Sequence, residues 1–586
     1  MDSLTAPGKT LTQRLNSFAI WTLGFLFVIG FSYFQHHPSG DGLLLSFNTG
    51  TWIVASVFIG LTLLYVARIQ YWVSSRLTRQ LLLCLGLILL PGLLPKSGDL
   101  LEVGRFYGLL GGALFLVCLT QLRLSESQTR SVIMAILAGV ILQAIFGWAQ
   151  FLELVPEGWF GYGPSTTRPF GIFRQPNVMG SFLATGLVLS AFLIGWQNRE
   201  ESKNCWLQWG CVLLPLLIVP LLVMLNSRAG WLGALVGVAM ILPWLYRQVE
   251  TRKLLIWLIA IFAGVLIGLA LLAANDQLAT TADRVQIDPV RRAMYPVVID
   301  LFQANIFSGV GLGNFESAFN AFAADQYASG EAVPSGVTNL HHPHNELLFW
   351  AVEGGLISLA GLLLAAWFVL LRVIKLGWLK GLAFTGLFFP IVLHTQTEYP
   401  FYHSAIHWLL FLFLIYLLDS QSGEMKVNKL RSTLLIGTAG VVIPVCISAF
   451  MITTLQAAAI LQRFESAPDS PPEMLLDIVN PMVWRDRLLW QVRTNIMYGG
   501  IARGDLSGVP PFIELITERI EDKPRWQNYQ DLIFAHDFIE QTDQADALYE
   551  EAEYRFPTRD FYRLESGTLT LRSYEPEPVE VEIEQP

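Results

Sequence analysis

Long apolar runs separated by short polar segments fill the chain up to about residue 456 and constrain its fold most strongly. A helix needs about 20 mostly apolar residues to cross a bilayer. The composition agrees, because hydrophobic residues make up 53% of the chain and charged residues only 15%. We therefore predict an all-α polytopic membrane protein with about 12–13 transmembrane helices. The runs are 17–34, 50–67, 81–95, 106–122, 132–152, 178–196, 206–225, 229–246, 254–274, 347–371, 381–394, 405–418 and 434–456.

Lysine and arginine in short loops predict the orientation of the chain, because cytoplasmic loops carry an excess of both. With the N-terminus in the cytoplasm, the short outer loops receive only Lys96, Arg105, Arg168, Arg174 and Arg228. We therefore place the N-terminus inside. An odd number of spans then places the C-terminal tail outside. The first run lacks a following cleavage site of small residues, so we expect a retained helix rather than a signal peptide.

Two large polar regions lie outside under this topology. One is the loop 275–345 and the other is the tail 457–586, which follows the transmembrane domain 1–456. The tail has amphipathic helical patterns, and its stretch 538–557 resembles one helical-repeat hairpin of the TPR kind. No second copy follows at a fixed period, so a repeat array stays open. The last dozen residues are acidic and proline-rich, which predicts disorder.

The cysteines predict neither disulfides nor a metal site. All of them lie in or beside apolar runs without metal-ligand spacing, and the outer loops and the tail contain none. They are Cys84, Cys118, Cys205, Cys211 and Cys446. The formal charge of −9 comes mostly from the tail. We expect membrane lipids, and no nucleic acid, among the partners.

Four polar islands follow odd-numbered spans, so the topology brings all of them to the outer face. They are residues 167–177, residues 226–230, the end of the long loop at His344, and residues 394–402. Polar and ionisable groups at membrane depth mark functional sites by default. Arginines in outer loops are also unexpected, because Lys and Arg are more frequent in cytoplasmic loops. Each outer arginine is therefore a candidate for a specific role.

The arginines of these islands are candidates for holding a diphosphate. The guanidinium groups of Arg168, Arg174 and Arg228 offer forked donors that match phosphate oxygens. Arg291 and Arg292 are adjacent in the long loop, and one of them could join the same anion site. The alternative is contact with lipid headgroups or structural pairing with a carboxylate.

Three of the nine histidines fall in the segment His341–Glu346, at the start of an apolar run. His344 would lie at a helix N-terminus, whose positive potential favours a neutral imidazole. A neutral imidazole can act as a general base, and the same potential attracts an anionic leaving group. His342 is a second candidate for substrate contact, and His341 is expected on the loop surface.

Two carboxylates complete the candidate site. Glu353 lies deeper in the same run as His344, where it would orient a partner, pair with an arginine or serve as a buried structural group. Glu398 is a candidate catalytic residue that would fix an arginine or a histidine. A metal site built from His342, His344 and Glu346 is not expected, since the two histidines do not share a helical face and no Cys or Asp cluster completes the site.

The glycine-rich segment Gly309–Gly313 invites comparison with a nucleotide-binding loop. It has no following Lys-Ser/Thr pair and no strand-like unit before it, and it lies outside. We interpret it as a turn.

Taken in order along the chain, these islands resemble motifs of the O-antigen ligase and polymerase superfamily of bacterial inner-membrane glycosyltransferases. Within it they are most similar to the O-linked oligosaccharyltransferases of the PglL type. The matching elements are Arg168–Asn177 (Arg-Pro-Phe-Gly-x-Phe-x-Gln-Pro-Asn), Ser227-Arg228, Gly309–Phe315, His342–Asn345 with Glu353–Gly355, and Glu398–Pro400.

The resemblance implies transfer of a preassembled oligosaccharide from undecaprenyl diphosphate to Ser/Thr hydroxyls of periplasmic proteins such as pilins. It implies inversion, no metal and no other cofactor, with the active site and the tail in the periplasm. His344 would be the base, and Glu398 and Tyr402 would lie near the acceptor or orient an arginine. The implied diphosphate ligands are Arg174, Arg228 and one of Arg291 or Arg292, with Arg168 as a further candidate. The implied secondary residues are His342, Asn345, Gln175, Asn177 and Glu353.

Several alternatives stay open from the sequence. An O-antigen ligase acting on lipid A-core, or a Wzy-type O-antigen polymerase, would use the same chemistry on another acceptor. A transporter would be expected to show internal repeats and charged residues near the middle of the bilayer, and the sequence shows neither. A scaffold that recruits partners through its tail would leave the arginine and histidine islands unexplained.

Overall fold

The computed structural model describes residues 10–38, 40–95, 97–98, 103–156, 158–163, 168–196, 205–275, 289–330, 340–423, 425–467, 470–565 and 568–572. Predictions that fall elsewhere lie outside the described residues. They include disorder of the last dozen residues, and the parts 276–288 and 331–339 of the predicted loop 275–345.

The described part of the chain is mostly helical. Its α-helices are α1 (Leu11–Phe25), α2 (Ser46–Ile69), α3 (Arg76–Leu89), α4 (Gly104–Leu122), α5 (Glu126–Phe151), α6 (Pro176–Gly195), α7 (Cys205–Leu213), α8 (Pro215–Met224), α9 (Arg228–Gln248), α10 (Thr251–Ala274), α11 (Pro289–Ala304), α12 (Phe315–Ala328), α13 (Glu346–Lys375), α14 (Trp378–Thr395), α15 (Pro400–His403), α16 (Ala405–Ser422), α17 (Leu434–Ser466), α18 (Arg485–Ile501), α19 (Val509–Asp522), α20 (Trp526–Phe538) and α21 (Thr542–Arg555).

Within the described ranges, 12 helices are long and apolar enough to cross a membrane. They correspond to every predicted run except the first. That run forms α1, of 15 residues, and continues directly as a π-helical turn of 5 residues, Leu26–Gly30. The prediction of an all-α polytopic membrane protein is confirmed.

Close glycine contacts fix the relative directions of α6, α9 and α14. A Cβ on Gly230 would lie 3.1 Å from the Cα of Gly180, so α6 and α9 touch near the residues where both begin. Gly237 of α9 faces Gly386, and Gly233 faces Pro390, so α14 runs antiparallel to α9. Small residues allow helix backbones in membranes to approach closely. As a result, the starts of α6 and α9 meet the end of α14 on one face of the bundle, called the site face below.

Helix α13 is interrupted where the glycine-rich segment packs against it. Gly355 adopts φ +61° and ψ −159°, and a Cβ there would lie 2.4 Å from the carbonyl oxygen of Phe307. The N–H of Val310 donates to the oxygen of Val352 (2.8 Å), and Gly311 donates to Glu353 (3.0 Å). Gly309–Gly313 is therefore a turn, as predicted. Its hydrogen bonds fix this part of the long loop against α13.

Two short antiparallel sheets accompany the helices. Strand β1 (Tyr71–Ser75) pairs with β2 (Met425–Lys429) on the face opposite the site face. Strand β3 (Phe561–Glu565) pairs with β4 (Thr568–Arg572) in the tail. The predicted helical tail therefore also contains a hairpin near its end, where the alternating threonines and leucines of Thr568–Arg572 favour a strand.

The tail begins as a direct continuation of the last span. Helix α17 runs unbroken through residue 456, the predicted limit of the transmembrane domain, and ends at Ser466. Helices α20 and α21 form an antiparallel pair, and the turn between them contains Glu540 with φ +57°. The tail touches the long loop through α12, because Arg525 pairs with Glu316 (2.6 Å) and Arg555 donates to Asn320 (3.1 Å).

Candidate active site

Glu398, just beyond α14, joins three separate segments of the chain. Its side chain is 7% exposed. The amide of Gln175 donates to Oε2 (2.8 Å), and the amide of Asn177 donates to Oε1 (2.5 Å). Arg291, from α11, approaches Oε1 at 3.3 Å and also donates to the oxygen of Thr397 at 2.8 Å. This single carboxylate therefore holds together the segment before α6, the long loop and the end of α14.

The same contacts keep Glu398 ionised. Burial raises the pKa of this carboxyl, but the hydrogen bond and charge of His394, the charge of Arg291 and the hydrogen bond from Asn177 outweigh burial and lower it to about 2. Both carboxylate oxygens are occupied by donors. Glu398 is therefore arranged to anchor neighbouring groups and is poorly arranged to accept a proton from a substrate.

A chain of buried hydrogen bonds leads from Glu398 into the bundle. His394 Nε2 lies 3.3 Å from Oε2 of Glu398, and its Nδ1 lies 2.7 Å from Oγ of Ser181. Ser181 lies 3.1 Å from Nε2 of His407, whose Nδ1 lies 2.8 Å from Oγ of Ser404. The four residues beyond the carboxylate are fully buried. The chain thus links α14, α6 and α16 beneath the site face.

One arrangement of protons satisfies every link of this chain with neutral imidazoles. The Ser404 hydroxyl donates to His407, His407 donates to Ser181, Ser181 donates to His394, and His394 donates to the carboxylate. The Ser181 hydroxyl also lies 3.1 Å from the carbonyl oxygen of Val178. The ring nitrogens and hydroxyls of this chain therefore all have a partner.

The predicted diphosphate arginines lie on the site face in different settings. Arg168 Nη1 donates to the carbonyl oxygens of Leu225 (3.2 Å) and Asn226 (3.4 Å), in the turn just before α9. Arg228 is the first residue of α9 and is exposed. The first polar island is thereby fastened to the second, and Arg168 supports the turn that presents Arg228.

Arg174 is more enclosed than Arg228. Its Nη1 lies 3.3 Å from Nε2 of His37, and burial lowers the pKa of the guanidinium. Burial, together with the charge of Arg174, lowers the pKa of His37 to about 4, so this imidazole is neutral at pH 7. Of the adjacent pair in α11, Arg291 reaches Glu398 whereas Arg292 is exposed. Arg291 is thus paired with a carboxylate, and binding of a diphosphate by one of the two arginines stays a prediction.

Three of the four islands contain a residue in the left-handed conformation. They are Arg174 (φ +58°), Asn226 (φ +51°) and His344 (φ +55°), and none is glycine. Five further non-glycine residues of the described chain have positive φ and lie outside the islands: Gln70, Arg123, Glu153, Phe160 and Glu540. A left-handed non-glycine residue costs of order 1–3 kcal/mol and persists where surrounding contacts enforce it.

The histidine segment is fixed from both sides. The N–H of His344 donates to Nδ1 of His342 (2.9 Å), which stabilises the left-handed turn. Asn345 caps α13, and its amide donates to the oxygen of Gln396 (3.2 Å). The ring of His344 lies 5.3 Å from that of Tyr399. The third and fourth islands are therefore in direct contact.

His342 acts as an acceptor in a buried position. It is 3% exposed. Burial, followed by the charges of His344 and His341, lowers its pKa well below the ordinary value. A neutral ring whose Nδ1 accepts a hydrogen bond carries its proton on Nε2. This tautomer suits a residue that holds the backbone of His344.

A second buried cluster involves Arg105, at the start of α4. Its guanidinium pairs with Glu353 and lies 4.4 Å from the centroid of the Phe349 ring. The carboxylate of Glu353 also accepts from the N–H groups of Gly313 (3.1 Å) and Phe315 (3.2 Å). Glu353 therefore both pairs with an arginine and supports the glycine-rich turn, which are two of the roles left open by the sequence.

Tyr402 belongs to the same cluster. Its hydroxyl interacts with Arg105, and burial raises the pKa of the phenol, so the group stays protonated at neutral pH. Its ring lies 5.6 Å from that of His342. Tyr402 therefore connects the Arg105 cluster with the histidine segment.

Sequence models of three protein families match different parts of the chain. One described as "Protein glycosylation ligase" matches residues 169–194, and one described as "O-Antigen ligase" matches residues 211–363. One described as "Virulence factor membrane-bound polymerase, C-terminal" matches residues 382–567. Together these ranges contain residues 169–177 of the first island and all of the other three.

These matches confirm the predicted resemblance to the O-antigen ligase superfamily.

A curated relative supports the likeness to the PglL branch of this superfamily. It is a general O-oligosaccharyltransferase of Acinetobacter baylyi, 22% identical over 289 residues. The alignment covers 46% of this chain and 48% of the relative. The matched part of this chain thus spans about half of the length of the Acinetobacter baylyi protein.

Several residues of the site were missed by the sequence reasoning. Arg105 is an outer arginine and satisfied the criterion that singled out Arg168. His394 precedes Glu398 by four positions, a spacing that places two helical side chains on one face. Ser181 and His407 carried a weaker signal, since each is one polar residue within an apolar run and only the packing of α6, α14 and α16 brings them together.

The buried chain predicts unequal effects for two serines of α6. Ser181→Ala leaves His394 Nδ1 and His407 Nε2 without their shared partner, so we expect a loss of about 1–3 kcal/mol in unfolding free energy. Ser190→Ala is the matched control, because Ser190 is equally buried but bonds only to Leu187 of its own helix. We expect it to cost less than about 1 kcal/mol.

Thermal unfolding of both variants in detergent micelles would measure the difference. Equal midpoints for Ser181→Ala and Ser190→Ala would show that the hydrogen-bond chain makes no contribution to stability.

Proposed function

We propose that this protein transfers a preassembled glycan from undecaprenyl diphosphate to Ser/Thr hydroxyls of acceptor proteins such as pilins, on the periplasmic face of a bacterial inner membrane. The observation that carries the proposal is the meeting of four polar islands and a loop arginine on one face, around the buried carboxylate of Glu398. The oligosaccharyltransferase relative supports the type of reaction.

A lipid-linked donor suits the position of the arginines. The polyprenyl tail would remain in the bilayer while the diphosphate lies at the site face. On this face Arg228 begins α9, and Arg174 lies in the turn before α6. Each charge-assisted hydrogen bond to phosphate contributes roughly 1.5–3 kcal/mol. Arg168 supports the turn before Arg228, and Arg291 is oriented by Glu398. We propose that these cations neutralise the leaving group and that the reaction needs no metal ion.

His344 would act as the general base. The acceptor hydroxyl would give its proton to His344 while its oxygen attacks the anomeric carbon from the side opposite the diphosphate. The bond between that carbon and the diphosphate oxygen would break, which inverts the configuration and leaves undecaprenyl diphosphate as an anion. The N-terminus of α13 and the arginines would stabilise this anion. His342, Asn345 and Tyr402 would position His344, and Gln175 and Asn177 would position Glu398.

An O-antigen ligase is the second candidate function. The family described as "O-Antigen ligase" matches residues 211–363, which include Arg228 and His344. Both functions would use the same donor and the same groups and would differ in the acceptor, which would be lipid A-core or a growing glycan in place of a protein.

A reconstituted assay would separate the two functions. The full-length protein in nanodiscs would receive a glycan on undecaprenyl diphosphate, a chelator, and either a pilin-type protein or lipid A-core. We expect the glycan mass to appear on the protein acceptor. Transfer to lipid A-core alone would overturn the protein-glycosylation proposal, and transfer only after a divalent ion is restored would overturn metal independence.

Replacing His344 should remove the base. We expect His344→Ala to reduce transfer roughly 10²–10⁴-fold while the protein accumulates normally in the membrane. His341→Ala is the matched control, since His341 is exposed on the same segment, and it should retain most activity. Initial rates in the reconstituted assay measure both variants, and an undiminished rate for His344→Ala would exclude the base assignment.

Arg228 should require its forked donor geometry. Arg228→Lys keeps the charge but loses bidentate contact, so we expect roughly a 10- to 100-fold loss of transfer, equivalent to about 1.5–3 kcal/mol. Arg247→Lys, at the opposite and exposed end of α9, should behave like the unmodified protein. Full turnover by Arg228→Lys would contradict bidentate binding.

A further inference from the structure

The first segment of the tail folds back along α17 towards the membrane. The amide of Gln456 donates to the oxygen of Asp477 (2.7 Å) and its Oε1 accepts from the N–H of Val479 (3.2 Å). The amide of Asn480 donates to the oxygen of Phe450 (3.3 Å) and to the hydroxyls of Thr453 and Thr454. Residues 477–480 therefore lie beside residues 450–456 of the last span.

The packing of α2 on α17 relates the ends of their two apolar runs, which indicate the level of the bilayer boundary. Ala67 faces Gly437, and seven residues earlier Gly60 faces Pro444, so the two helices are antiparallel. Paired positions therefore move in opposite directions along the two helices. Ten residues before Gly60, residue 50 begins the apolar run of α2, and it lies level with Thr454, ten residues after Pro444. The apolar run of α17 ends independently at about residue 456. Both helices thus put the boundary on the site face at residues 454–456, the level of the returning segment.

The returning segment presents apolar side chains away from the protein. Leu476, Val479 and Met482 are 83%, 71% and 70% exposed. They recur every third residue along the segment. On the inward side, Leu475 and Trp484 are buried against α17. Large exposed apolar groups on a segment that is otherwise well packed indicate an interaction surface.

The remaining residues of the segment suit the boundary between headgroups and acyl chains. Glu473 and Asp477 are exposed, which excludes deep insertion because charged groups are costly within the hydrocarbon. Pro471, Pro472 and Pro481 lack backbone N–H groups, so this irregular segment has fewer donors to satisfy where water is scarce.

We propose that Leu476, Val479 and Met482 form an interfacial foot that inserts into the headgroup–acyl boundary of the bilayer on the site face. The partner of this surface is lipid, because the foot lies beside the last turns of the apolar run of α17. The apolar run of α2 begins at the same level. The foot and the Arg525–Glu316 pair then hold the tail at two points, one on the membrane and one on the long loop. The inference does not depend on the reaction proposed above.

Depth-dependent quenching tests the foot. The five native cysteines are replaced in the full chain, and Met482→Cys carries a bimane fluorophore in nanodiscs that each contain one copy. We expect blue-shifted emission, quenching by phospholipids with a nitroxide near the headgroup, and protection from iodide. Ser507→Cys is the matched control, since Ser507 is exposed elsewhere in the tail, and it should show the opposite pattern.

Leu476→Cys provides a second position, in case the label at Met482 disturbs its surroundings. The proposal is overturned if the labels at Met482 and Leu476 are quenched by iodide as strongly as the label at Ser507 and are insensitive to the nitroxide lipids. It is also overturned if protection from iodide appears only in discs that hold two copies, since a protein contact would then cover the face.

Discussion

The buried carboxylate of Glu398 is the interaction on which the arrangement of the site depends. A charged group withdrawn from water costs several kcal/mol unless donors replace its hydration. Here the donors come from the segment before α6, from α11 in the long loop and from His394 within α14. Each of these segments must therefore reach the same point before the carboxylate is satisfied, and the polar islands converge as a result.

Close helix packing makes this convergence possible. Glycines at the crossings of α6, α9 and α14 let the helix ends come near enough for side-chain amides to reach across. At the surface, the left-handed conformations of Arg174, Asn226 and His344 turn the chain sharply at the positions where charged groups are presented. The Arg105–Glu353 pair holds the long loop in place. Glu353 also accepts hydrogen bonds from the glycine-rich turn and so fixes this turn against the break in α13.

Most of the fold followed from the amino-acid pattern. Apolar runs of bilayer length predicted the spans, since a lipid environment requires every backbone group to be bonded within the helix. The islands were also found from sequence, because arginines and histidines at helix ends on the outer side contradict the usual distribution of charge. The sequence could not distinguish Arg291 from Arg292, since adjacent residues on a helix point in different directions and only the docking of α11 decides which one meets Glu398. It also missed the hairpin at the end of the tail.

The sequence by itself determined the membrane class, the positions of the spans and the candidate polar groups, because hydrophobic length and charge bias are local properties of the chain. Only the tertiary structure decided the contacts within the site. The carboxylate of Glu398 receives donors from Gln175, Asn177 and Arg291. His394, Ser181 and His407 form a continuous buried chain, and the start of the tail packs against the end of the last span. These outcomes depend on distances between residues far apart in sequence, and such distances are set by helix packing rather than by any local pattern.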